Sequence, residues 1–187
     1  MMIYDEKKSL RREISARLAK LSVEERVKLS NAAVEKFLAH DIYKSSEVIM
    51  AYMSTSEEIQ LQEFLSTALA DNKILAVPFI NGREMYAALL PNLDALEVGA
   101  YGISTVKSDV RKIIDVTEID CVITPGLAFD IYKNRLGKGG GFYDKFLSRA
   151  VNAKKVALAY DFQIVDKVPV ELHDWTVDVI ITPTKIF

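Results

Sequence analysis

The sequence predicts an α/β fold: one domain, residues 1–187, in which a mostly parallel sheet is flanked by helices in three layers. Short and nearly continuous apolar runs recur along the chain, as is typical of strands covered on both faces. Segments with helical spacing separate several of these runs, which favours parallel strands joined by crossovers. The length of 187 residues suits a single domain with its own core.

The first forty residues predict two helices. Ser22 and Glu25 form a capping-box pattern, which is expected to start the second helix. One apolar stripe indicates the buried face of the first helix: Leu10, Ile14, Leu18 and Leu21. Basic residues cover the rest of that helix, and they form either a solvated surface or part of a binding site: Lys7, Lys8, Arg11, Arg12 and Arg17.

The rest of the chain alternates between predicted strands and other segments. Residues 59–69 have helical spacing, residues 85–90 suit an antiparallel or edge strand, and residues 92–112 suit a loop-rich insertion. Pro78 is expected to end one strand, because proline cannot donate to a sheet ladder. The strands of the main sheet are expected at residues 47–52, 73–77, 120–124, 155–160 and 177–182.

Composition excludes several classes of protein. The 24 Lys and Arg against 26 Asp and Glu give a net charge of −2, which argues against nucleic-acid or membrane-surface binding. Cys121 is the single cysteine, so we expect a buried core residue and neither a disulfide nor a paired-cysteine zinc site. No apolar run approaches the roughly 20 residues of a membrane span, and the first 13 residues lack a secretory signal, so we expect a cytoplasmic protein.

Residues 125–144, PGLAFDIYKNRLGKGGGFYD, contain the strongest candidate site. Four of the eight glycines lie within residues 137–141, which lets the backbone approach a ligand and adopt positive φ: Gly137, Gly139, Gly140 and Gly141. Arg135 and Lys138 add positive charge, and residues 142–151 predict a helix whose first N–H groups attract phosphate. The segment lacks the Walker A pattern. We predict an anion-binding loop in preference to a flexible surface turn.

Other polar residues have two readings each. Asp144, beside this loop, either holds Mg²⁺ or stabilises the helix dipole. Glu57 and Glu58 follow the first strand of the sheet and either face a ligand or are solvated. His173 and Asp174 precede the last strand, and a turn with a cap is favoured there over acid–base chemistry.

Residues 125–147 resemble the signature of the 5-formyltetrahydrofolate cyclo-ligase family. Further segments are similar to family elements in the same order: KKSLR at 7–11, LSVEER at 21–26, MSTSEE at 53–58, AYDFQ at 159–163, and residues 168–178. The resemblance implies a fold of the ribose-phosphate-isomerase and CoA-transferase type. It also implies ATP- and Mg²⁺-dependent closure of 5-formyltetrahydrofolate to 5,10-methenyltetrahydrofolate, with phosphorylation of the formyl oxygen and release of ADP and phosphate.

The resemblance also implies roles for individual residues. Arg135 and Lys138 would be catalytic, and Asp144 and Asp178 would hold Mg²⁺. ATP would be bound by Lys7, Arg11, Arg135, Leu136, Gly137, Lys138, Gly139, Gly140, Gly141, Phe142 and Tyr143. The folate would be bound by Met53, Glu58, Lys138, Gly139, Gly140, Gly141 and Phe142. The partners would be these two small molecules, with no nucleic acid or membrane, and we expect a monomer.

The sequence departs from the family pattern in two places. Phe79 stands where the family often has a basic residue after Pro78, and Ser104-Thr105 stand where it often has Glu-Pro. Two other functions remain open: a sugar-phosphate isomerase or kinase that uses the glycine loop, and a folate- or nucleotide-binding regulatory module without turnover. The combination of the basic element at 7–11 with two metal-type carboxylates disfavours the first, and only the two departures support the second.

Overall fold

A computed structural model describes residues 2–187. Two long helices open the chain, and Ser22 caps the start of the second, as predicted. The Ser22 hydroxyl accepts a hydrogen bond from the Glu25 N–H at 3.1 Å, and Glu25 Oε2 accepts one from the Ser22 N–H at 2.9 Å. The elements follow in chain order: α1 (Ile3–Leu18), α2 (Val23–Ala39), α3 (Asp41–Ser45), β1 (Val48–Ala51), α4 (Gln62–Ala70), β2 (Ile74–Asn81), β3 (Glu84–Leu90), β4 (Leu96–Val98), β5 (Ser104–Val106), β6 (Ile113–Ile114), β7 (Cys121–Ile123), β8 (Ala128–Asp130), β9 (Arg135–Leu136), α5 (Phe142–Leu147), β10 (Lys154–Leu158), β11 (Ile164–Val165) and β12 (Val179–Ile181).

The main sheet has seven strands in the order β12-β10-β7-β1-β2-β3-β6. The five strands from β12 to β2 are parallel, whereas β3 pairs antiparallel with both β2 and β6. A three-stranded sheet (β11-β8-β9) and a two-stranded sheet (β4-β5) lie beside it. The predicted fold class is confirmed: a mostly parallel sheet flanked by helices.

Successive residues of each strand are buried on opposite faces of the sheet, so helices or other segments can pack against both faces. In β1, Ile49 and Ala51 pack with apolar residues of α1, α2 and α4, while Met50 packs with Phe146 and Leu147 of α5. The same alternation holds in β10 and β12, where the second face is covered by Phe129 of β8 and its neighbours. The described helices are too short or too polar to cross a membrane.

Pro78 does not end β2, and that expectation was wrong. The strand runs on to Asn81, and Pro78 pairs with Ala87 of β3. The ladder between β1 and β2 reaches only Met50 and Ala76, so the missing N–H of Pro78 leaves no parallel partner unsatisfied. The antiparallel reading of residues 85–90 is confirmed.

The last helix also differs from its expected bounds. Helix α5 ends at Leu147, not at residue 151, and the Arg149 N–H closes its last turn on the Phe146 carbonyl at 3.0 Å. After this turn the chain enters β10 at Lys154. Cys121 is fully buried and burial raises the pKa of its thiol, so its prediction as a core residue is confirmed.

The strand order positions a ligand site. From β1 the chain builds the sheet first toward β2 and later toward β7, so the order reverses at β1. In open α/β sheets ligands bind at the carboxyl ends of strands at such a switch point. Residues 53–58 follow β1 and residues 125–144 follow β7, so the two predicted binding segments meet at this position.

Candidate active site

The glycine-rich segment forms a hairpin and then a loop at the carboxyl end of β7. Strands β8 and β9 pair antiparallel, with Phe129 opposite Arg135. The periodicity of the sequence gave no sign of these short strands. In the loop that follows, Gly139 and Gly141 have φ angles of +100° and +68°. Side chains are strained in that region, so glycine is strongly favoured at both positions.

Arg11 reaches this loop from α1. Its Nε donates to the Gly137 carbonyl at 2.9 Å. A Cβ atom added at Gly139 would lie 3.6 Å from the Arg11 guanidinium carbon. The structure therefore brings one of the predicted ATP-binding cations against the glycine loop.

Lys7, one turn earlier on α1, is held by two carboxylates. Its Nζ lies 2.7 Å from Glu171 Oε2 and 2.5 Å from Asp174 Oδ2, and only 7% of its side chain is exposed. Burial alone would lower the pKa of Lys7, but the hydrogen bonds and charges of Asp174 and Glu171 raise it above its usual value. The same contact lowers the pKa of Asp174 against the opposing effect of burial. Binding of ATP by Lys7 stays a prediction.

This ion pair gives stability a pH dependence. Asp174 has a lowered pKa, so its contribution is present above the usual carboxylate pKa and is lost as the pH falls through the lowered value. We expect Asp174→Asn to lower the free energy of unfolding at pH 7 by about 2 kcal/mol. This value lies between the effects typical of surface ion pairs and of fully buried ones. Urea unfolding between pH 3 and 8 should show this difference shrinking below about pH 4. Asp166→Asn, at an exposed position, is the control, and a difference independent of pH would contradict the prediction.

Arg135 is buried and joins the glycine segment to α5. Its Nη2 donates to Asp144 Oδ1 at 2.5 Å, and its Nη1 donates to the Pro125 carbonyl at 3.1 Å. Asp144 Oδ1 also accepts from the Trp175 N–H at 3.3 Å. Among the described residues, Arg135 Nε is buried without a hydrogen-bond partner. Asp144 thus lies beside the cation predicted to be catalytic.

Glu58 and Lys138 meet across the switch point. Lys138 Nζ lies 2.9 Å from Glu58 Oε1 and 3.1 Å from the Thr55 hydroxyl. Glu58 Oε2 accepts from the Thr55 N–H at 2.9 Å and from its hydroxyl at 3.0 Å. The Glu58 side chain is mostly buried, whereas 47% of Lys138 is exposed. The carboxylate is therefore fixed, and the lysine can move.

These residues border a narrow cleft between the two segments. Glu58, Lys138, Pro125 and Gly126 line it. Tyr143 lies beneath the site, where burial, followed by the charge of Glu58, raises the pKa of its hydroxyl well above the usual range. That hydroxyl has no hydrogen-bond partner in the described part of the chain.

Met53 and Phe142 border the same region. Met53 is half-buried against the larger core. Phe142 begins α5, and its ring centroid lies 6.2 Å from that of Tyr101 in the insertion. Both residues follow strand or loop ends at the switch point. Contacts with a folate stay a prediction.

Asp144 fits a magnesium ion that arrives with a nucleotide. Mg²⁺ is commonly held by one or two carboxylates together with phosphate oxygens and water. Both hydrogen bonds to the Asp144 carboxylate fall on Oδ1, which leaves Oδ2 available. Asp178 directly precedes β12, at the amino ends of β12 and β10, where its Oδ2 accepts from the Lys155 N–H at 2.7 Å; the structure shows no contact between this carboxylate and Asp144. Metal binding by the two carboxylates stays a prediction.

Comparison with known proteins decides the family. A sequence model described as the 5-formyltetrahydrofolate cyclo-ligase family matches residues 3–183, nearly the whole chain. The chain belongs to the 5-formyltetrahydrofolate cyclo-ligase family. It is an enzyme of that family, as the resemblance at residues 125–147 implied.

Individual relatives agree with this assignment. The 5-formyltetrahydrofolate cyclo-ligase of Mus musculus is 31% identical over 184 residues, covering 92% of this chain and 91% of the relative. The Escherichia coli cyclo-ligase is 28% identical and covers 93% and 98%. The solved structure of Aquifex aeolicus 5,10-methenyltetrahydrofolate synthetase superposes with a TM-score of 0.87 at 30% identity, covering 96% of this chain and 91% of that one.

Sequence reasoning missed four residues of the candidate site or interpreted them differently. Thr55 gave no signal beyond a polar segment after β1. Glu171 and Asp174 form ion pairs with Lys7, which the sequence did not indicate. Asp174 also caps its turn as expected, because its carboxylate accepts from the Glu171 N–H at 2.7 Å. Trp175 acts through its backbone N–H, which no side-chain pattern reports.

Proposed function

We propose that this cyclo-ligase converts 5-formyltetrahydrofolate and ATP to 5,10-methenyltetrahydrofolate, ADP and phosphate. One observation carries the proposal. A glycine loop contacted by Arg11 and anchored by Arg135 meets the fixed Glu58 carboxylate at the switch point of the sheet. A polyphosphate and a pterin would need these two kinds of surface side by side.

The chemistry requires a better leaving group on the formyl carbon. The formyl oxygen attacks the γ-phosphorus of ATP, which forms an O–P bond and releases ADP. Nitrogen-10 of the folate then attacks the formyl carbon of this imino phosphate and loses its proton. The C–O bond breaks, and phosphate leaves with the former formyl oxygen. The enzyme mainly has to align the reactants and neutralise phosphate charge.

Glu58 and Lys138 have complementary roles in this proposal. The Glu58 carboxylate is fixed by Thr55, so it can accept hydrogen bonds from the N–H groups of a pterin with little reorganisation. Lys138 is half exposed and paired only at its charged end, so it can turn from Glu58 toward a phosphate oxygen. Binding of the pterin would thus release a cation next to the reacting phosphate.

Arg135, Asp144 and the loop backbone bind the other substrate. The N–H groups of residues 137–141 and the guanidinium of Arg11 would contact the polyphosphate. Asp144, with Asp178 as the second carboxylate implied by the family, would hold Mg²⁺, which supplies charge neutralisation on the phosphates. Arg135 positions Asp144 through their ion pair.

The test is product formation from purified protein, 5-formyltetrahydrofolate, ATP and Mg²⁺, followed by the near-ultraviolet absorbance of the methenyl product. We expect product only when both ATP and Mg²⁺ are present. Absence of product with folate binding intact by calorimetry would indicate the regulatory module. Absence of folate binding would contradict a folate enzyme altogether and leave the sugar-phosphate alternative.

A further inference from the structure

A second cleft, with a cavity volume of about 100 Å³, lies between the end of β2 and the β4–β5 hairpin. We call it the hairpin cleft. Its lining includes Phe79, Glu97, Gly99, Thr105 and Arg111. None of the residues predicted for ATP or pterin binding lines it. The hairpin cleft is therefore a distinct candidate for binding another part of a ligand.

The hairpin cleft adjoins the proposed pterin site. Met53 follows the end of β1, and Phe79 lies on β2 beyond Met50 and Ala76, the last pair of the β1–β2 ladder; both side chains pack against the larger core. Tyr101 lies between residues that line the cleft, and its ring contacts Phe142 of the glycine loop. One extended ligand can therefore occupy both places.

Arg111 is held rigidly at the wall of this cleft. Its Nε and Nη2 donate to the Val106 carbonyl at 2.9 and 2.6 Å. Its guanidinium carbon lies 3.9 Å from the centroid of the Phe79 ring, a cation–π contact. Nη1 makes no hydrogen bond among the described residues, so a pre-oriented donor remains for a ligand. The remaining charge partner is Glu97, whose Oε1 lies 3.3 Å away and which is 42% exposed.

The residues on this side of the hairpin cleft suit a ligand carboxylate that is attached to an aromatic ring. An arginine fork binds a carboxylate through charge-assisted hydrogen bonds, and the Phe79 ring and Ile103 offer apolar surface beside it. In 5-formyltetrahydrofolate the pterin is followed by an aminobenzoyl ring and then by glutamate. We propose that the hairpin cleft binds the glutamyl carboxylate of the folate, with Arg111 as the residue that determines specificity for it. This inference rests on the proposed function.

A comparison of two substrates isolates this contact. The enzyme is assayed with 5-formyltetrahydrofolate and with 5-formyltetrahydropteroate, which lacks the glutamate. We expect wild-type kcat/KM to favour the glutamylated substrate about tenfold to hundredfold, the worth of one hydrogen-bonded charge pair. Arg111→Gln should remove this preference by raising KM for the glutamylated substrate, with kcat and the pteroate kinetics unchanged.

Two further variants sharpen the test. Glu97→Gln should lower KM for the glutamylated substrate, because it removes the carboxylate that competes for Arg111. Arg83→Gln, at an exposed position in the β2–β3 turn, is the matched control and should keep the wild-type preference. Equal losses on both substrates in Arg111→Gln, or no preference in wild type, would overturn the assignment while leaving the proposed function intact. Absence of product from either substrate in wild type would overturn both.

Discussion

Replacement of Arg135 by alanine is expected to lower kcat about 10³-fold, the effect typical of losing a pre-oriented positive group at a transferring phosphate. The side chain is almost fully buried and links the Pro125 carbonyl to Asp144, so no neighbouring cation occupies its position. Its removal also leaves Asp144 without its ion-pair partner. Arg135→Lys should recover little, because lysine cannot bridge both acceptors with one planar group.

Steady-state kinetics and urea unfolding together separate catalysis from stability for this variant. We expect Arg135→Ala to unfold in one cooperative transition. Its free energy of unfolding should be lower by about 3 kcal/mol, because a buried ion pair loses one partner. Arg149→Ala is the matched control, because Arg149 also donates to a backbone carbonyl, that of Met85, but lies outside the glycine segment. It should keep near-normal kcat. A near-normal kcat in Arg135→Ala would contradict the assignment of the loop.

Asp144→Asn is expected to have a similarly large effect, a loss of about 10³-fold in kcat at a fixed Mg²⁺ concentration. The amide keeps much of the shape of the side chain but loses the charge that would hold the metal. Activity measured against rising Mg²⁺ should show a higher half-saturating concentration in this variant. Arg135→Ala, which retains the carboxylate, should not require more Mg²⁺ to the same degree.

A structural carboxylate provides the control for Asp144. Asp120 Oδ2 accepts from the N–H groups of Glu47 and Val48 at 2.9 and 2.8 Å, at the amino end of the strands. Asp120→Asn should therefore lower stability without changing kcat or the Mg²⁺ requirement. An Asp144→Asn variant with the same Mg²⁺ dependence as wild type would contradict metal binding at Asp144.

The fold was largely predictable because its strands are covered on both faces and the helix caps are local. Runs such as VIMA in β1 are apolar on both faces, and the Ser22 capping box depends only on residues three apart. Pro78 was misread because its tolerance depends on where the β1 ladder ends, which is a tertiary property. The two-residue strand β9 is likewise fixed by pairing with β8 and not by periodicity.

The site was predictable where the residue type alone restricts the backbone. It was less predictable where the role of a side chain depends on partners that are distant in sequence. Gly139 and Gly141 need positive φ, so the glycine run already indicates the loop. Lys7 could be assigned only a positive charge, since Glu171 and Asp174 lie more than 160 residues away in sequence. The sequence alone did not distinguish Arg111 from other surface arginines, because its contact with the Phe79 ring depends on the tertiary fold.

Isotope transfer from the formyl group tests the proposed reaction most directly. 5-Formyltetrahydrofolate labelled with ¹⁸O in the formyl oxygen is turned over with ATP and Mg²⁺, and the released phosphate is analysed by mass spectrometry. We predict one ¹⁸O atom in each phosphate, because the formyl oxygen becomes the bridging oxygen of the imino phosphate and leaves with phosphorus. Unlabelled phosphate, with methenyl product formed, would contradict phosphorylation of that oxygen.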